Sequence, residues 1–225
     1  MEHGAKRHDT HIVSKSPKTI TYTKVFWLFL VGRVAGVLIE GRFCLIVKGH
    51  WETHVVSVLA PYSILYGLGI VLFYVGAVKL QHRSPVLQII IMTAFATVLE
   101  LLCGLFLRYG LEMRAWDYSH RFLNYKGIIC LGFSAVWGVA AYVFARLSPR
   151  IEAFLTRCTG RPWRMACTVL SIVMVLDLCM TGTSILRWSE RYYGIPAQTE
   201  IQKELDTEVP DDWMQQHFVE WKFLD

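Results

Sequence analysis

Apolar residues in this chain are gathered into five long runs, at 25–47, 55–78, 86–107, 128–145 and 165–186, separated by shorter stretches that hold most of the bases. About 20 mainly apolar residues is the length an α-helix needs to cross a hydrocarbon layer, and a helix satisfies its own backbone groups where no water can. The pattern therefore predicts an all-α membrane helix bundle of about five transmembrane helices. It divides the chain into a polar N-terminal tail at 1–24, the bundle at 25–187 and an acidic amphipathic C-terminal tail at 188–225. Arg33 and Glu40 weaken the first run as a span, and Pro61, Gly67 and Gly69 weaken the second. Because the first run follows a polar leader and carries charges, it reads as a retained helix and not as a cleaved signal.

Composition strengthens this picture. Hydrophobic residues make up 54% and charged residues 18%, below the roughly 25% charged of ordinary soluble domains. The net charge of +5 comes from bases clustered between the runs, which fits a positive-inside pattern and not the aromatic-studded basic face of a nucleic-acid binder. Lys15, Lys18 and Lys24, then Lys79 and Arg83, then Arg146, Arg150, Arg157, Arg161 and Arg164 fall on one side of the predicted membrane, which puts the N-terminus in the cytoplasm and the acidic tail outside. The six cysteines form no CxxC pair and read as small buried hydrophobes. Neither a phosphate-binding loop nor a metal-ligand spacing occurs, so the sequence predicts no cofactor and no ATPase activity of its own.

In the tail, Thr199 to Leu205 reads as a short helix, and Pro210 followed by Asp211 and Asp212 as the first turn of another, since proline and acids suit a helix N-terminus. Trp213, Phe218, Trp221 and Phe223 are expected to lay that segment on the membrane interface.

An ionisable side chain in a spanning helix costs about 2.5–3.5 kcal/mol near the centre on insertion scales, so each one requires a partner or a wet cavity. Four need one here: Arg33 and Glu40, seven residues apart on one helix face, Glu100 in the third run and Asp177 in the fifth. Asp177, Thr181 and Ser184 share a helix side, as do Thr93, Thr97, Glu100 and Gly104, while Gly32 with Gly36 forms a small-residue stripe. Glu40 and Glu100 fall in the outer halves of their helices and are expected to border a common pocket. The alternative is an Arg33–Glu40 salt bridge with Glu100 held by hydroxyls. The third-to-fourth connection carries Arg114, Trp116, Asp117, Tyr118, Ser119 and Asn124. It is expected either to form turns and caps or to fold over the outer mouth as a wall of that pocket, with Arg114 as counter-charge.

The combined residues resemble a known family. They are Glu40; His50, Trp51 and Glu52; the stretch APYSILYG at 60–67; Leu99, Glu100 and Gly104; the tetrad Trp116, Asp117, Tyr118 and Ser119 followed by Asn124, Gly127, Cys130, Leu131, Ser134, Trp137 and Gly138; Asp177; and Arg191, Tyr192, Leu205, Asp206, Pro210, Asp211, Asp212 and Met214. This set resembles the putative ABC-transporter type IV family of bacterial membrane proteins, with Ala60 and Ile64 standing where the family has a glycine and a later proline. The resemblance implies a multi-pass cell-membrane protein and a permease-like transport component of unstated substrate. Such a component works with the lipid bilayer and with a separate ATPase subunit. Two other readings remain: an intramembrane enzyme using Glu40, Glu100 and the Asp117 region on an amphiphilic or other small-molecule substrate, and a sensor or accessory subunit acting through its tail.

Overall fold

The computed structural model describes residues 19–51, 55–60 and 62–224; the polar leader through position 18, Glu52 and Pro61 lie outside the described residues. Five long helices follow the five apolar runs: α1 (Tyr22–Lys48), α2 (Ile64–Lys79), α3 (Pro85–Gly110), α4 (Leu131–Arg157) and α5 (Arg161–Tyr192). Two short helices follow, α6 (Glu200–Glu208) and α7 (Asp211–His217). Two small antiparallel pairings join β1 (Met113–Arg114) to β4 (Lys222–Phe223) and β2 (Asn124–Tyr125) to β3 (Ile129–Cys130).

The architecture is the all-α membrane bundle that the runs predict. Among the described residues α3, α4 and α5 are long and apolar enough to cross a membrane, and α2 is a shorter apolar helix of 16 residues. Large apolar side chains remain exposed along them, including Phe95, Leu102 and Phe106 on α3 and Val169, Val173 and Leu176 on α5. A hydrocarbon solvent suits such faces, because lipid tails are as apolar as the side chains that meet them.

Local chemistry sets the helix ends. The Thr21 hydroxyl accepts the Lys24 amide at the start of α1, and Ser84 accepts that of Leu87 at the start of α3, where Pro85 occupies the first turn. In the tail, Thr199 and Gln202 form a reciprocal capping box that starts α6.

Two boundaries differ from the apolar runs. Residues 55–60 are not helical, and α2 begins only at Ile64. Ala60 precedes a proline, whose ring disfavours helical geometry at the residue before it, and Ser57 in this segment is fully buried against α5. At the other end of the molecule, α4 continues past Ala145 and through Pro149 to Arg157. Pro149 lacks the amide that would bond the Ala145 carbonyl, and the Ser148 hydroxyl donates to that carbonyl at 3.0 Å instead. The basic stretch at 146–164 is therefore helical, with only Cys158, Thr159 and Gly160 between α4 and α5.

Small residues let the helices close. A Cβ on Gly32 would lie 2.3 Å from Ile70 Cγ2, and one on Gly36 would lie 2.2 Å from Tyr66 Cγ, so α1 and α2 touch almost backbone to side chain. One core, with Leu28, Phe73, Tyr74, Met92, Ala96, Ala141 and Phe144, fills the bundle. A second joins Leu107, Met113, Ile185 and Trp188 to Met214, Phe218 and Trp221 of the tail. Phe218 and Trp221 are thus buried inside the protein. This corrects the expectation that they lie on the membrane interface: the bundle end offers them a drier partner than headgroups do. The tail closes with β4 on β1, at the opposite end of the bundle from Lys24 of α1, which pairs with Glu152 near the end of α4.

Candidate functional site

The bundle holds two buried acids in contrasting surroundings. Asp177 is on α5 with Thr181 and Ser184 on the same buried face. Arg33 of α1, 0% exposed, donates from Nη2 to Asp177 Oδ2 at 3.1 Å, and the Ser57 hydroxyl donates to Oδ1 at 2.6 Å. Thr181 accepts the Val58 amide at 3.0 Å, which fastens the non-helical segment before α2 to α5. The guanidinium also lies over the Tyr62 ring at 4.5 Å and the Phe29 ring at 5.5 Å. Gly67 leaves room for it, since a Cβ there would meet Arg33 Cγ at 2.7 Å. The ion pair of Arg33 therefore runs across the bundle to Asp177 and not along α1 to Glu40. The carboxylate meets the dehydrated guanidinium through Oδ2, while its other oxygen is held by the Ser57 hydroxyl.

Glu100 of α3, 3% exposed, has a different environment. The Tyr118 hydroxyl donates to Oε1 at 3.2 Å and the Trp137 indole N–H to Oε2 at 3.0 Å. Both donors are neutral, and among the described residues no base pairs with this carboxyl. Tyr66 of α2 hydrogen-bonds Glu40 of α1, and its ring lies 6.4 Å from that of Trp137. Burial, followed by the Glu100 charge, pushes the Tyr118 phenol well above its ordinary range. Two acids, two phenols and an indole thus converge from α1, α2, α3, α4 and the connection after α3.

That connection is built to deliver Tyr118. Asp117 Oδ1 accepts the Ser119 amide at 2.8 Å and also the Ser119 hydroxyl, while Arg114 pairs with Oδ2. The Ser119 donors first, and then Arg114, hold the Asp117 carboxyl below its ordinary range. Asn124 Nδ2 donates to the carbonyls of Ser119 and Arg121, both at 2.9 Å, and its Oδ1 accepts the Gly127 amide at 3.2 Å. Gly127 has φ of 68°, and a Cβ there would lie 2.8 Å from Ser119 Oγ, so glycine is required on two counts. Trp116 donates to the Ile128 carbonyl at 2.8 Å, and Ile128 fits against Gly104 of α3. Tyr118 then stacks on Phe133 at 4.3 Å and reaches Glu100. Asp117, Ser119 and Asn124 hold the loop in shape, and Arg114 is committed to Asp117 at the surface.

A model of the putative ABC-transporter type IV family matches residues 27–182, well over half of the chain. The chain belongs to that family. The matched region contains both acid centres, from Arg33 and Glu40 through Glu100, Tyr118 and Trp137 to Asp177 and Thr181. No curated protein and no solved structure gives a significant match.

In this member of the family, sequence reasoning gave no site role to three participants. Tyr66 and Trp137 entered only as part of the family pattern, although a buried indole N–H or phenol demands an acceptor and thereby points to an acid nearby. Ser57 was hidden inside a stretch expected to be helical.

Proposed function

We propose that this chain is the membrane-spanning component of an ABC-type transport system, working with a separate ATPase subunit. In this reading Glu100, with Glu40, Tyr66, Tyr118 and Trp137, forms the site that accepts a proton or a cationic group of the transported species. The observation that carries it is Glu100 itself: a carboxyl nine-tenths or more buried, held by neutral donors, in a chain of a transport family. A buried acid without a base is stable when it takes up a proton or a cation, and such groups within membrane spans mark transport pathways.

In this reading the N-terminus lies in the cytoplasm and the tail outside, which the bases around the α2–α3 and α4–α5 turns support. The site then lies in the outer half of the bundle. The polar leader, the bundle and the tail act as three parts, the tail capping the bundle. An enzymatic reading gains less support, since the Asp117 carboxyl is occupied by Ser119 and Arg114.

Purification from native membranes in mild detergent tests the proposal. An ATPase subunit should accompany the chain, and Glu100→Gln should keep that subunit while abolishing transport-linked ATP hydrolysis. A chain that purifies without any ATPase, or a Glu100→Gln complex with wild-type hydrolysis, contradicts it.

A further inference from the structure

The α4–α5 end of the bundle carries a concentration of unpaired positive charge that neither acid centre uses. Arg146, Arg150 and Arg157 fall on one face of α4 at spacings of four and seven residues, and Arg161 and Arg164 follow on the first turn of α5. All five are exposed, and none makes an ion pair among the described residues. The acid of this end is Glu152, and it is already bound by Lys24 and by the Tyr74 hydroxyl at 3.0 Å. Among the described residues no acid neutralises the arginines.

Their apolar neighbours indicate what does. Phe154 sits on the same face of α4 and is 57% exposed, while Met165 and Val169 are exposed on α5 just beyond the bases. Trp163, between Arg161 and Arg164, packs edge-on against Trp27 at 5.3 Å and keeps part of its ring outward. Indoles with one apolar and one wet side settle at headgroup depth. The first turn of α5 starts at Gly160 with no capping side chain and no acid, which leaves its amides to add to the positive field.

We infer that this turn is a docking site for anionic phospholipid, with Arg157, Arg161 and Arg164 on the phosphates and Phe154, Met165 and Val169 along the acyl chains. The charge complementarity is local and needs no particular orientation of the chain. Each base near an anionic surface contributes about a fivefold factor in affinity, so three removed together should weaken retention by roughly a hundredfold.

The test is native mass spectrometry of the delipidated full chain titrated with phosphatidylglycerol or phosphatidylcholine. Wild type should retain phosphatidylglycerol selectively, and the triple variant Arg157→Gln, Arg161→Gln, Arg164→Gln should lose that selectivity while keeping the wild-type thermal unfolding midpoint. Arg121→Gln with Lys203→Gln, bases elsewhere on the chain, should retain it. Equal retention of both lipids by wild type, or undiminished selectivity in the triple variant, overturns the inference. So does loss of a co-purifying protein in that variant with lipid selectivity unchanged, which would make the turn a protein-docking surface. Should the triple variant unfold, Arg161→Lys, which keeps the charge, and Arg161→Gln, which removes it, must still differ in phosphatidylglycerol retention.

Discussion

Asp177 and Glu100 are equally buried carboxyls in one bundle, yet among the described residues only Asp177 is met by a base. Asp177 faces Arg33 and a serine hydroxyl, and the three groups tie α1, α5 and the segment before α2 together. Glu100 faces a phenol and an indole, which hydrogen-bond it without sharing its charge. A paired buried ion is a fixed joint, because breaking it strands the partner. An acid held by neutral donors keeps its capacity for a proton or cation.

The largest effect should come from breaking the joint. Asp177→Ala leaves Arg33 buried with no counter-charge and is expected to cost about 3–5 kcal/mol, measured as loss of folded protein and a lowered unfolding midpoint in detergent. Adding Arg33→Met should restore much of the loss, since an apolar pair of similar volume avoids the desolvation that the ion pair requires. A double variant no more stable than Asp177→Ala would assign the cost to lost packing. A smaller cost is expected where helices meet at glycine. Gly36→Ala drives a methyl into Tyr66, which would lie 2.2 Å away, and should destabilise by about 1–3 kcal/mol. That substitution also displaces the phenol that joins Glu40, so its functional loss should exceed that of a comparable overpacking variant remote from the acids.

Glu100→Gln sharpens the contrast from the other side. The amide oxygen can still accept one of the two donors, so stability should fall by only about 1 kcal/mol, read from the unfolding midpoint, while transport-linked hydrolysis disappears. A stability loss as large as that of Asp177→Ala would make Glu100 a second joint.

The smallest effect concerns the tail, where acids are paired within reach of water. Arg187 and Arg191 converge on Asp206, and the Arg187 hydrogen bonds first hold its carboxyl down to about 2, below the ordinary 3.8. A depressed carboxyl contributes stability that is fully present above its unfolded value and is lost as pH falls through the folded one. Hydrogen-exchange protection of α6 and α7, corrected for intrinsic rates, should therefore hold down to about pH 4 and fall toward pH 2. Protection unchanged at pH 2 would show that the aromatic contacts alone secure the tail.

Much of this was legible in the residues themselves. The five helices follow from runs of apolar side chains, and the inward faces of Asp177 with Thr181 and of Glu100 with Gly104 follow from helical spacing. Turn chemistry marked α6 and α7 through Thr199 and Pro210. What was not legible depends on contacts between distant segments. Helical spacing offers Arg33 the residue seven positions on, Glu40, but cannot offer it Asp177, which lies 144 residues away. The fourth apolar run ends at Ala145, yet the helix continues through Pro149, because the Ser148 hydroxyl supplying the bond that the proline amide cannot make is a local geometric detail. The tail aromatics read as interfacial for want of any signal that the bundle end carries an apolar seat for them. At the site, the residues around Asn124 and Gly127 announced a structured turn, while nothing in the local spacing of Tyr66 and Trp137 tied either to an acid on another helix.

The contrast between the two acids can be measured directly with a hydrophobic carbodiimide, which modifies protonated carboxyls in apolar surroundings and spares those engaged as carboxylates in ion pairs. Peptide mass spectrometry of the labelled, folded chain should find the adduct on Glu100 and not on Asp177, with labelling abolished in Glu100→Gln. Labelling of Asp177 in preference to Glu100, or of neither, would contradict the account.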